Sequence, residues 1–216
     1  MHHFMFDIDG TLVESFDFDE RCFVDAVFEV TGKSIDGNWQ TYPHVTDRGL
    51  LKEFIVRYDL DFTLSDLEAR VKPVFIEGIR QSIESKGVTP LPGAVDFFQE
   101  CLRSKHVQVS LATGGWSSTA RMKLLSAGFL INEVTLSSSD DHFDRKEIMR
   151  LSENRVSNLS TKPKQPIVYF GDGQWDQDAC EQLGYQFIQV GRRFQGRHQQ
   201  VDDFVNAEKI MGLIQV

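Results

Sequence analysis

Short apolar runs that halt at glycine beside an acid or a threonine recur along this 216-residue chain, and they narrow the folds open to it. Residues 4–8 stop at Asp9-Gly10-Thr11, residues 107–112 at Thr113-Gly114-Gly115, and residues 167–170 at Gly171-Asp172-Gly173. Residues 134–137 and 186–190 are two further runs of strand length. Between them lie stretches with helical spacing: 94–102, opened by Pro90-Leu91-Pro92-Gly93, then 117–126, 147–154 and 179–183. Strands that alternate with helices are joined by crossovers, so the five strands predict a parallel α/β sheet. Open sheets of this kind bind ligands at the C-terminal ends of their strands, where the glycine-acid pairs sit.

Residues 15–87 break the alternation. Phe23, Val27 and Val30 share one helical face, as do Leu50, Leu51, Phe54 and Ile55, and then Val71, Val74, Phe75, Ile79 and Ile83. The spacing predicts about three helices and no strand, inserted between the first strand and the rest of the sheet. The chain is long enough for one core domain with such an insertion, and crowded for two full domains.

The formal net charge of -9 opposes a broad footprint on nucleic acid or on an anionic membrane. An anionic ligand must therefore be held by local cations, backbone dipoles or a metal ion. Cys22, Cys101 and Cys180 form no CxxC pair and predict neither a disulfide framework nor a zinc ribbon. With no apolar leader and no stretch long enough to span a bilayer, a cytoplasmic location is expected.

Asp7 and Asp9 stand two residues apart where the first strand ends, which directs both carboxylates to one side. An Asp-Gly pair alone reads as a turn. Here it follows an apolar run and is accompanied by similar strand ends. Phe6-Asp7-Ile8-Asp9-Gly10-Thr11-Leu12 resembles the first motif of the haloacid dehalogenase superfamily. Val109-Ser110-Leu111-Ala112-Thr113-Gly114-Gly115 resembles its second motif, and Val168 to Asp176, with Gly171-Asp172-Gly173 at its centre, its fourth. The third, a cation at a helix start, falls in Asp144-Arg145-Lys146-Glu147-Ile148, where either Arg145 or Lys146 supplies the charge.

The resemblance implies a Rossmann-like parallel sheet with helices on both faces (residues 1–14 and 88–216) plus a small all-helical cap (15–87). It implies a phosphatase acting on a small phosphorylated metabolite, as a monomer or small homo-oligomer. Asp7 is then the nucleophile that forms an aspartyl-phosphate, and Asp9 the acid and base. Dehalogenases of the superfamily lack this second Asp and the transport ATPases carry Thr there, so Asp9 points to a phosphatase or a phosphomutase. Mg2+ is the implied cofactor, held by Asp7, the Asp9 backbone carbonyl and Asp172, with Asp176 supporting it or serving as a helix cap. Thr113, Gly114 and Arg145 or Lys146 are the implied phosphate-binding groups, with backbone N–H groups of Gly10 and Thr11. Trp116 and Trp175 read as packing residues. Thr46-Asp47 resembles a pair in the cap of phosphoglycolate phosphatases, and Arg48 and Lys52, one helical turn apart, are either solvated or contact an anionic substrate tail. The alternatives are a sugar phosphomutase, a phosphonatase with Lys52 as its Schiff-base lysine, and a phosphate-binding module without catalysis. A dinucleotide-binding protein is disfavoured because no GxGxxG follows the first strand.

Overall fold

The structure, a computed structural model, describes residues 2–158, 165–196 and 199–214. Six strands, β1 (His2–Phe6), β2 (Val107–Ala112), β3 (Thr135–Ser137), β4 (Ile167–Gly171), β5 (Gln186–Val190) and β6 (Gln199–Val201), form one sheet in the order β3-β2-β1-β4-β5-β6. Every neighbouring pair is parallel. Successive connections move outward in one direction from β1 to β3 and in the other from β4 to β6, so the order reverses between β1 and β4. A crevice opens beyond the strand ends at such a switch point.

Between β1 and β2 come α1 (Phe16–Thr31), α2 (Asp47–Arg57), α3 (Leu64–Lys86) and α4 (Ala94–Arg103), and from β2 onward α5 (Ser117–Ser126), α6 (Arg145–Asn158), α7 (Gln174–Leu183) and α8 (Ala207–Leu213). Both faces of the sheet are covered. Phe4, Phe6, Leu111 and Phe170 point into one cluster with Phe97 and Phe98 of α4, Leu124 of α5 and Ile210 of α8. Met5, Ala112 and Tyr169 point the other way, against Met149 of α6 and Cys180 of α7. This two-sided burial explains why the central strands read as unbroken apolar runs. Phe6 and Phe170, partners across β1 and β4, stack with centroids 4.7 Å apart.

Residues 16–86 contain no strand and pack around a separate cluster that includes Phe23, Leu51, Phe54, Val71 and Phe75. The chain leaves and re-enters the core on two adjacent segments: Glu14 N–H donates to Thr89 O and Leu91 N–H to Leu12 O, 2.9 Å each.

The structure differs from the sequence reading at the margins of its elements. β6 was not anticipated, because of its three residues only Val201 is apolar and buried. β1 ends at Phe6 rather than residue 8, since Ile8 O already accepts N–H groups from Thr11, Leu12 and Val13 in a turn. α7 starts at Gln174 rather than 179 because its first turn is polar and shows no apolar periodicity.

Phe170 is fully buried at the centre of this packing. Phe170→Ala is expected to cost about 3–5 kcal/mol, read as a lower urea midpoint at unchanged slope.

Candidate active site

The switch point brings three carboxylates together. Asp7 directly follows β1, its N–H still bonded to Phe170 O at 2.9 Å, Asp172 follows β4, and Asp176 lies in the first turn of α7. All three are buried and offer oxygens within 4.8 Å of one another. Arg145, at the start of α6, inserts between them: its Nη1 lies 3.2 Å from Asp7 Oδ1 and 2.7 Å from Asp176 Oδ1. Arg193 Nη1 lies 2.8 Å from Asp172 Oδ2. Asp176 also caps its helix, its Oδ2 accepting the Gly173 N–H at 3.1 Å. Gly10 permits this convergence: with φ at 81°, a Cβ there would lie 2.1 Å from Asp172 Oδ2.

Burial is the main cause of an upward pKa shift in all three acids. Asp7 is pushed up to about 7, with the negative charge of Asp176 adding and Arg145 opposing. Asp172 also rises to about 7, through burial and then Asp7, against Arg193. Asp176 rises to about 6, with Arg145 opposing burial and Asp172 adding to it. More negative charge is gathered here than the two guanidinium groups compensate. A compact set of hard oxygen donors short of positive charge fits Mg2+.

Asp9 lines the same cavity of about 80 Å³, and its Oδ1 accepts hydrogen bonds from Ser15 Oγ and, at 2.5 Å, from Lys123 Nζ. Thr113 and Gly114, at the end of β2, line it as well. Of the two cations left open, Arg145 enters the cavity, while Lys146 does not line it. Gly114 must stay small, because a Cβ would lie 2.8 Å from the backbone carbonyl oxygen of Val45 as well as 2.6 Å from Arg145 Nη2. The backbone N–H groups of Gly10 and Thr11 do not point at a ligand as expected. They close the turn after β1, donating to Val13 O at 2.9 Å and Ile8 O at 3.2 Å.

The helical insertion supplies about half of the residues that line the cavity. Thr46 caps α2, its Oγ1 accepting the Gly49 N–H and donating to Phe143 O at 2.6 Å. Asp47 donates its N–H to Gly114 O at 2.9 Å and accepts the Trp116 N–H on Oδ2 at 2.8 Å, which ties the insertion to the loop after β2. Arg48 and Lys52 are engaged outside the cavity: Arg48 Nε lies 3.0 Å from Glu68 Oε2, and Lys52 Nζ sits 3.7 Å from the centre of the Phe143 ring. The insertion instead presents Asp19, Glu20 and Asp47 beside Phe16 and Phe23 and, among the described residues, no lysine or arginine. Trp116 is fully buried in packing as expected, whereas Trp175 lines the cavity.

Lys123, Asp19 and Arg193 escaped the sequence reading, because each meets its partner across a long separation in sequence. Lys123 did leave a signal: it interrupts the apolar face made by Ala120, Leu124 and Ala127 of α5 and the residue that follows it.

Each acid of the cluster has a folded pKa above its unfolded value, so its contribution to stability is fully present below the ordinary carboxylate range and is lost as pH rises through about 6 to 7. The metal-free protein is expected to melt at lower temperature as pH increases from about 5 to about 8, and Mg2+ to restore more stability at the higher pH. Thermal melts with chelator and with Mg2+ check this; equal stabilisation at both pH values would remove the metal assignment.

The family model described as haloacid dehalogenase-like hydrolase matches residues 4–190. No curated protein sequence matches the chain. Among solved structures, a hydrolase from Pseudomonas syringae superposes with a TM-score of 0.77 at 16% identity, covering 100% of both chains. CbbY from Rhodobacter sphaeroides, in complex with phosphate, gives 0.73 at 18% identity over 98% of each chain. A predicted phosphoglycolate phosphatase from Haemophilus somnus gives 0.66 at 17% identity over 96% of each. These likenesses establish the shared fold, and the match to the family model over most of the chain establishes descent: the protein belongs to the haloacid dehalogenase-like hydrolases.

Proposed function

We propose that this protein is a Mg2+-dependent phosphatase that hydrolyses a small phosphate monoester through an aspartyl-phosphate on Asp7. The observation that carries the reading is the buried Asp7, Asp172 and Asp176 cluster with Arg145 inside it, next to a cavity that Asp7 and Asp172 share with a second carboxylate of the same turn, Asp9. Residues 15–87 act as a cap over a core of residues 1–14 and 88–216, in the cytoplasm. No helix among the described residues is long and apolar enough to cross a membrane.

Asp7, Asp172 and the Asp9 carbonyl would hold the ion, with Asp176 beside them, and its charge would let one anion attack another. A carboxylate oxygen of Asp7 displaces the leaving group at phosphorus, while Thr113 and Arg145 bind the remaining phosphoryl oxygens. Asp9 gives its proton to the departing oxygen and then takes one from the water that cleaves the acyl phosphate. The cap shields this intermediate from bulk water.

The cavity holds on the order of five waters, which suits a small leaving group. The cap wall offers no lysine or arginine to the cavity among the described residues, so nothing there pairs with a second anion on the leaving group, which disfavours both a bisphosphate intermediate and the anionic tail anticipated for Arg48 and Lys52. A phosphonatase is disfavoured too, because Lys52 faces Phe143 and does not line the cavity.

An aryl phosphate is expected to be hydrolysed with Mg2+ and not in excess chelator, with Ca2+ a poor substitute. Asp7→Asn should abolish turnover and phosphoenzyme together. Asp9→Asn should lower steady turnover by roughly 10²–10⁴-fold yet still release a burst of product and leave phosphate on Asp7. Rapid-quench kinetics with mass spectrometry of the Asp7 peptide decide the matter; label on another residue, or full turnover by Asp7→Asn, refutes the assignment.

A further inference from the structure

Lys123 is fully buried on the core-facing side of α5, where the spacing of Ala120, Leu124 and Ala127 calls for an apolar residue. A buried ammonium group persists only when paired. Its two partners come from different parts of the molecule: Asp9 Oδ1, in the turn after β1, and Asp19 Oδ1, in the first turn of α1, each 2.5 Å from Nζ. Ser15, immediately before α1, donates its hydroxyl to the same Asp9 Oδ1. Asp9 Oδ1 therefore carries two donors, and Oδ2 carries none among the described residues. Oδ2 lies towards the phosphate-binding loop: a Cβ added at Gly115 would lie 3.7 Å from it and 3.6 Å from Thr113 Oγ1.

We propose that Lys123 is a positioning residue which, with Ser15, pins Asp9 Oδ1 so that Oδ2 faces the phosphoryl group, and that its bond to Asp19 makes this placement depend on the cap being seated. The proposal rests on the phosphatase reading above. Oδ2 delivers the proton to the leaving oxygen as its bond to phosphorus breaks and the Asp7 oxygen bonds to phosphorus. Oδ2 recovers a proton from water as the water oxygen bonds to phosphorus and the Asp7 bond breaks, which returns Asp9 to its starting form. Stability alone gives no reason for the lysine, since a buried ion pair is commonly no more stable than the hydrocarbon that would replace it. Fixed orientation at the reacting atoms is what it adds.

The test is a series of phosphate monoesters whose leaving groups range from nitrophenol, which departs without a proton, to simple alcohols, which require one. With Lys123→Met, kcat/KM is expected to fall about 100-fold or more on the alkyl esters and less than about tenfold on nitrophenyl phosphate. Ser15→Ala removes one hydroxyl and keeps the test decisive if the lysine variant does not fold; it should show the same slope, with roughly a tenfold loss on the alkyl esters. Asp19→Ala leaves Asp9 and Lys123 in place and should steepen the series as well. Losses by Lys123→Met and Ser15→Ala that are equal across the series overturn the positioning role, and an equal loss by Asp19→Ala overturns its dependence on the cap. Wild-type protein that hydrolyses no ester in the series with Mg2+ overturns the phosphatase reading itself, and this inference with it.

Discussion

One guanidinium nitrogen, Nη1 of Arg145, lies 3.2 Å from Asp7 and 2.7 Å from Asp176, and β1 and β4 can end side by side in acids because of that contact. Parallel neighbours place their C-terminal ends at the same level, so acids following two adjacent strands must meet. Burying like charges together without compensation costs far more than a small domain can absorb. The cation comes from the start of α6, an element whose position follows from its packing on the sheet face opposite α4. Packing and electrostatics are thus coupled: Met149 on the apolar side of α6 seats the helix, and the seated helix delivers the charge.

A second buried cation, Lys123, connects the other half of the site to the insertion. Asp9 belongs to the core and Asp19 to the insertion, and both end on the same ammonium. Thr46 and Asp47 add bonds to Phe143 and to the loop after β2. All these contacts lie near the cavity, while the covalent connection runs through two short adjacent segments around residues 12–14 and 89–91.

The parallel α/β sheet and the helical insertion were both legible in the residues, because β1, β2 and β4 are buried on two faces and the insertion helices carry apolar stripes at helical spacing. Short polar-edged pieces such as β6 and the first turn of α7 were not, since their apolar content is too low to show a period. Within the site, Asp9, Thr113 and Asp172 stood out because each follows an apolar run beside a glycine, and Asp7 because it stands two residues before Asp9; the structure brings all four to one cavity. Arg48 and Lys52 attracted notice by charge and spacing alone, and both are engaged outside the cavity.

By itself, then, the sequence determined to within about two residues where the central strands end, and so which acids gather at the switch point, because strand ends are written locally in the step from apolar residues to Gly, Asp and Thr. Only the tertiary structure decided which cations answer those acids. Arg145 rather than Lys146 enters the cavity, Lys123 joins Asp9 to Asp19, and Arg193 reaches Asp172. The lengths of the intervening helices and the packing of those helices on the sheet set these pairings, over separations at which no local pattern records a partner.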